Sequence, residues 1–139
     1  MTLKTSFTFF LFLGTLSLHG KVFIVDNQHA SASDSNQGTE DQPWKTVQKA
    51  AQSITAGDTV YIKKGTYKGE VKIERSGTEN NYILFSAYPG DEEKVIIDGS
   101  QIILIESSYV RISGFYIQNT TNHGIALRGM SDGVIISGN

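Results

Sequence analysis

The side chains able to do chemistry in this chain of 139 residues are carboxylates, hydroxyls and a nearly equal number of cations, 14 Asp and Glu against 12 Lys and Arg, with no cysteine. Zero Cys excludes a disulfide framework, a thiolate zinc site and a cysteine nucleophile. The densest acidic run is Asp91-Glu92-Glu93, directly after Pro89-Gly90. Three consecutive carboxylates in a Pro-Gly turn predict a solvated corner. Asp98-Gly99 and Asp132-Gly133 read as turns at strand ends. Asp34, Asn36 and Gly38 have the opening of a calcium loop, but Lys45 stands where the twelfth-position Glu belongs. Polar bracing of a loop is the better account of that segment. His123 sits in Asn119-Thr120-Thr121-Asn122-His123-Gly124, with no acidic partner nearby in sequence, and reads as a corner residue. On the residues alone, no catalytic residue and no metal ligand is assigned, and the substrate-binding residues stay undefined.

Short elements must hold these groups. The chain is 39% hydrophobic and 19% charged, the balance of a globular protein, and 14 Gly against 2 Pro suit many tight turns between strands. A net charge of -2 provides no basic field for nucleic acid. At the N-terminus, Lys4 precedes the apolar run Phe7 to Leu18, followed by His19 and Gly20. This pattern predicts a secretory signal over residues 1–20, with the mature protein extracellular or periplasmic. The run is too short to cross about 30 Å of hydrocarbon as a helix, and without Cys there is no lipoprotein anchor.

Residues 21–57 read as a cap. Lys21 to Val25 is a short strand, and 26–42 is turn-rich. Pro43 then opens an amphipathic helix with Trp44, Val47, Ala50, Ala51 and Ile54 on one face and Gly57 as its stop. Residues 58–139 repeat. Val110 and Ile112 recur as Val134 and Ile136 at an offset of 24, and Val71 and Ile73 as Val95 and Ile97 at the same offset. Val60 and Ile62 map onto Ile83 and Phe85 at 23, and Ile103 and Ile105 onto Ile125 and Leu127 at 22. A period of 22–24 with two or three Ile/Val-rich strands per repeat predicts a solenoid, and strand twist favours right-handed crossovers. The expected fold is all-β: a right-handed parallel β-helix of about three coils, apparently truncated, behind a cap with one amphipathic α-helix. Trp44 is expected between the cap and the first coil.

Ser33-Asp34-Ser35-Asn36-Gln37-Gly38-Thr39, Gln42-Pro43-Trp44-Lys45-Thr46-Val47-Gln48-Lys49-Ala50 and Gly57-Asp58-Thr59-Val60-Tyr61-Ile62-Lys63-Lys64-Gly65-Thr66-Tyr67 resemble the opening of secreted right-handed parallel β-helix proteins. Ser76-Gly77-Thr78 and Ser86-Ala87-Tyr88-Pro89-Gly90 extend the likeness. The resemblance is closest to the N-terminal part of the ninth family of polysaccharide lyases, the pectate lyases. It implies β-elimination on an acidic polysaccharide, with calcium held by several Asp to neutralise the uronate and a Lys or Arg as base. No position here matches those Asp or that base, so calcium is expected for the full-length family and no ligand for it is identified in this chain. The chain is accordingly expected to be the N-terminal portion of such a lyase, without its catalytic coils. The alternative is a non-catalytic secreted glycan-binding or surface module.

Within that frame the cations and tyrosines have two readings each. Arg111 alternates with Val110 and Ile112 and so points outward, either solvated or against an anionic sugar chain. Arg128, following Leu127, is expected on the same outer surface as Arg111, and Lys63 and Lys64 facing solvent. Tyr61, Tyr67, Tyr82, Tyr88, Tyr109 and Tyr116 could stack on sugars if aligned on one outer face, or simply edge the core. Asn119 and Asn139 end strand–turn units, where stacked Asn would brace a solenoid. Asn119-Thr120-Thr121 is also a glycosylation sequon, relevant in a eukaryotic secretory route.

Overall fold

From Val22 onward, short runs alternate apolar and polar residues, and each forms a strand because one of its faces can be buried. In the computed structural model, residues 20–99, 103–121 and 123–139 are described; the expected signal lies, up to residue 19, outside them. The elements are β1 (Val22–Val25), α1 (Val47–Ser53), β2 (Thr59–Ile62), β3 (Gly65–Lys68), β4 (Val71–Ile73), β5 (Ile83–Ala87), β6 (Val95–Asp98), β7 (Ile103–Ile105), β8 (Val110–Ser113), β9 (Phe115–Gln118), β10 (Ile125–Leu127) and β11 (Ile135–Ser137). The strands pair in parallel to make a five-stranded sheet, β1-β2-β5-β8-β11, and two three-stranded sheets, β3-β6-β9 and β4-β7-β10. From β2 onward consecutive strands enter different sheets, so the chain winds through three coils, β2–β3–β4, β5–β6–β7 and β8–β9–β10, and β11 opens a fourth. This is the parallel β-helix that the repeat predicts.

Register builds the core as columns. Phe23, Val60, Phe85, Ile112 and Ile136 occupy successive rungs of one inward column. Val60, Phe85 and Ile112 are fully buried. Gly65, Val95 and Phe115 form a column in the second sheet, and Val71, Ile103 and Ile125 one in the third. Burying one such side chain is worth about 1.5–3 kcal/mol. At the corner between β8 and β9 a single residue turns the chain. Gly114 has φ 82°, and a Cβ there would lie 2.8 Å from the Ala87 Cβ.

Two of the expected repeats are the true registers: Ile136 lies beside Ile112, and Ile125 beside Ile103. Two are not. Val60 and Ile62 lie beside Phe85 and Ala87, one inward position later than expected. A slip of that size keeps the same face inward, so alternation cannot detect it. Val71 and Ile73 do not pair with Val95 and Ile97; β4 lies beside β7, while β6 lies between β3 and β9. Every strand of a coil presents a similar inward pair, and the pattern therefore confuses neighbours within a coil with neighbours between coils.

The cap also differs from expectation at one end. The helix begins at Val47 rather than near Pro43. Asp34 Oδ1 accepts from the backbone N–H groups of Lys45 and Thr46 at 3.0 and 2.9 Å, and Oδ2 accepts from the Thr46 hydroxyl at 2.8 Å. The chain is thereby held extended up to Thr46, which acts as N-cap by accepting from Lys49 N–H at 3.1 Å. Trp44 consequently lies off the helix. It bridges Val25, donates its indole N–H to the Asn36 carbonyl at 2.8 Å and stacks on Phe23 with ring centroids 4.7 Å apart. It is buried as part of the apolar core, with these partners all within residues 21–57, and the polar bracing of the Asp34 loop holds. Val47, Ala50, Ala51 and Ile54 are buried at the base of the solenoid, where α1 packs beside β4.

Candidate functional site

Side chains of a parallel sheet that do not face the core stand outside in columns, one rung per coil. On the five-stranded sheet the outer columns are Val22–Thr59–Leu84–Arg111–Ile135 and Ile24–Tyr61–Ser86–Ser113–Ser137. The Ser86 and Ser113 hydroxyls are 3.2 Å apart. Tyrosines flank this face at both strand ends. Tyr82 and Tyr109, immediately before β5 and β8, meet edge to face with centroids 5.7 Å apart. The Arg111 guanidinium lies 5.7 Å over the Tyr82 ring. At the other end, Tyr61 and Tyr88 meet edge to face at 5.9 Å, with the Lys63 ammonium 5.2 Å over Tyr88. Four of the six tyrosines thus border one outer face. Tyr67 is instead buried, its hydroxyl donating to the Lys63 carbonyl at 2.8 Å, and Tyr116 lies on a different sheet.

The cations on these coils differ in how they are satisfied. Lys63 does not face open solvent: its side chain is 22% exposed and pairs with Glu40 of the cap loop and, at 3.8 Å, with Asp26. The hydrogen bond to Glu40, together with both carboxylates, raises the Lys63 pKa above its ordinary value. Lys72 is held between Glu74 and Glu106 at 2.8 and 2.9 Å, and these bonds raise its pKa in the same way. Arg111 is exposed, and among the described residues no carboxylate lies within ion-pair distance of it. Its outward direction is the one its alternation with Val110 and Ile112 predicts.

The acids serve local structure. Asp91 accepts from Lys64 N–H at 3.0 Å and Glu92 from Gly90 N–H at 3.0 Å, which makes this run the expected corner. Buried Asp58 accepts from Lys21 and Thr55 N–H at 2.8 and 2.7 Å. Among the described residues no three Asp, Glu or His side chains converge on a metal position. The described residues therefore do not assemble the several-Asp calcium site that the resemblance implies. Asn stacking is replaced by other partners: Asn119 donates to Asp98 at 2.7 Å, while Asn139 accepts from Phe115 N–H at 3.0 Å and donates to the Ile112 carbonyl at 3.3 Å. His123 is exposed just before β10.

Sequence reasoning singled out Arg111 and the tyrosines separately but did not bring Tyr82 and Arg111 together. The β5–β8 register carries Ile83 to Val110, a longer step than any of the repeats legible in the sequence. The aligned polar pair Ser86 and Ser113 takes the same longer step and is the signal that could have revealed it.

Three parallel sheets wound about an apolar interior, with a helix at the base, define a parallel β-helix protein. The chain belongs to the Pel9A-like right-handed β-helix family, whose model matches residues 27–137. It is 32% identical to the uncharacterized protein YwoF of Bacillus subtilis (strain 168), over 78% of this chain and 26% of that protein. It is 40% identical to pectate lyase PEL9 of Emericella nidulans, over 50% of this chain and 17% of the enzyme. The chain therefore spans only about a quarter or less of the length of these relatives. Among solved structures it resembles a rhamnogalacturonan lyase, with TM-score 0.61 at 27% identity over 70% of this chain and 28% of that one. A lacto-N-biosidase from Eubacterium ramulus shares the fold, with TM-score 0.64 at 20% identity over 72% of this chain and 20% of that one. Among the described residues no helix is long and apolar enough to cross a membrane.

Proposed function

We propose that this chain forms the N-terminal coils of a secreted polysaccharide lyase-like protein that acts on pectate or a related acidic polysaccharide by β-elimination. On this reading the calcium ligands and the base belong to coils stacked beyond β9, β10 and β11. The observation that carries it is the uncovered end of the core. Ile136 continues the column of fully buried Val60, Phe85 and Ile112, yet is 42% exposed, and Leu127 above Ile105 is 48% exposed. A solenoid core that presents bare Ile and Leu and unpaired strand edges calls for a further coil or cap. The named lyases among its relatives support the reaction class, and the apolar run Phe7 to Leu18 after Lys4 supports export.

Reading the coding DNA beyond Asn139 and expressing the longer product tests this. The expected result is calcium-dependent formation of the unsaturated, ultraviolet-absorbing product from polygalacturonate. A longer product with no elimination on any uronate polymer would overturn it. The second reading, a glycan-binding module without catalysis, is favoured by exposed Arg111 on a tyrosine-flanked face. Retained polymer binding with no product at any length would select it.

A further inference from the structure

We infer that Arg111, with Tyr82 and Tyr109, forms a uronate-binding subsite on the outer face of the five-stranded sheet, which grips the polymer through its carboxylate. The ligand class rests on the acidic-polysaccharide reading above. The subsite itself rests on geometry. Arg111 is exposed and lacks a carboxylate partner among the described residues, whereas Lys63 and Lys72 on the same solenoid are each held by two. A guanidinium lying over a tyrosine ring is held in place while its planar fork of donors stays available. That fork matches a carboxylate bidentately, which an ammonium cannot do.

The surroundings suit a sugar ring rather than a lone anion. Tyr82 and Tyr109 are partly exposed and set edge to face, so they offer apolar surface of the kind that packs on the C–H face of a pyranose. The next rung above Tyr109 carries no side chain. A Cβ on Gly133 would lie 2.6 Å from Tyr109 Cδ1 and 2.9 Å from the Tyr82 hydroxyl, so a larger residue would displace both rings. Leu84, one rung below Arg111, and the Ser86–Ser113 hydroxyl pair beside it continue the face with an apolar patch and two hydroxyls. The outer columns here carry no acid, so nothing on the sheet itself repels a polyanion. A uronate polymer would lie along the solenoid axis, with one carboxylate on Arg111.

The test is affinity electrophoresis and titration calorimetry of the full chain with polygalacturonate, its fully methyl-esterified neutral form serving as the comparison polymer. The wild type is expected to bind the acidic polymer, more weakly as salt rises, and to prefer it over the ester. Arg111→Gln should weaken binding by about tenfold or more, and Arg111→Lys should recover only part of it. Tyr82→Ala should also weaken binding, while Arg128→Gln, just past β10 on another sheet, should not. Circular dichroism on each variant checks that the fold persists. Unchanged affinity in Arg111→Gln, equal binding of the neutral ester, full recovery in Arg111→Lys, or no binding by the wild type would each overturn the subsite. The two readings fail separately. A longer product that cleaves polygalacturonate with wild-type KM after Arg111→Gln removes the subsite and leaves the lyase. Arg111-dependent binding without elimination does the reverse.

Discussion

Lys63 joins three parts of the molecule at one ammonium. It follows β2, pairs with Asp26 after β1 and Glu40 in the cap loop, and lies over Tyr88 of the next coil. Its carbonyl accepts the buried Tyr67 hydroxyl. Both side chains have pKa values raised in the folded state, Lys63 above 10.5 by its hydrogen bond to Glu40 and Tyr67 above 10.0 by burial. A raised folded pKa means that the protonated form favours folding. That contribution is fully present below the unfolded values and is lost as pH rises through the folded ones. Stability from this junction should therefore be level from neutral pH to about 10 and fall above it. Tyr67→Phe should be less stable at neutral pH by about 1 kcal/mol, because the Lys63 carbonyl loses its donor, yet show a shallower alkaline fall. Thermal unfolding followed by circular dichroism across this range checks both, and an unchanged alkaline slope would remove Tyr67 from the account.

The cap helix shows how a distant side chain sets the bounds of an element. Its apolar positions, Val47, Ala50, Ala51 and Ile54, are where helical periodicity places them, and all four are buried. Its start is not, because Asp34, far back in the cap loop, takes the N–H groups of Lys45 and Thr46. Asp34→Ala should cost about 1–2 kcal/mol and Thr46→Ala about 1 kcal/mol in chemical denaturation. The two share the Thr46 hydroxyl contact at 2.8 Å, so the double variant should lose less than the sum. Strictly additive losses would mean that loop and cap act independently.

The solenoid as a whole is held by columns, and its two ends are unequal. Phe85 is at the middle of its column with neighbours above and below, so Phe85→Ala should cost about 3–5 kcal/mol in denaturant unfolding. The base is closed by α1, whereas Ile136, Leu127 and Met130 are exposed at the other end. The purified chain should associate in a concentration-dependent way through that end, as read by sedimentation velocity. Ile136→Lys should reduce the association, and a longer product should suppress it. Association unaltered by Ile136→Lys would locate the contact elsewhere.

The class of fold was legible because burial here is local and periodic. Alternating Val and Ile mark inward faces, glycines mark corners, and one helical pattern marks the cap, each read from near neighbours in the chain. The pairing of strands was legible only in part, at Ile112–Ile136 and Ile103–Ile125, because the corners differ in length. Along the five-stranded sheet one step runs from Thr59 to Leu84, the next from Ile83 to Val110 and the last from Arg111 to Ile135, and no two are equal. A uniform period cannot carry those unequal steps, and slips by one inward position leave the apolar pattern intact. For the same reason the candidate site was legible only as separate residues. Arg111 was readable as outward from its two neighbours, but its place over Tyr82, on the preceding coil, follows from how the coils stack. Local alternation determines which side chains leave the core; three-dimensional register determines which of them meet.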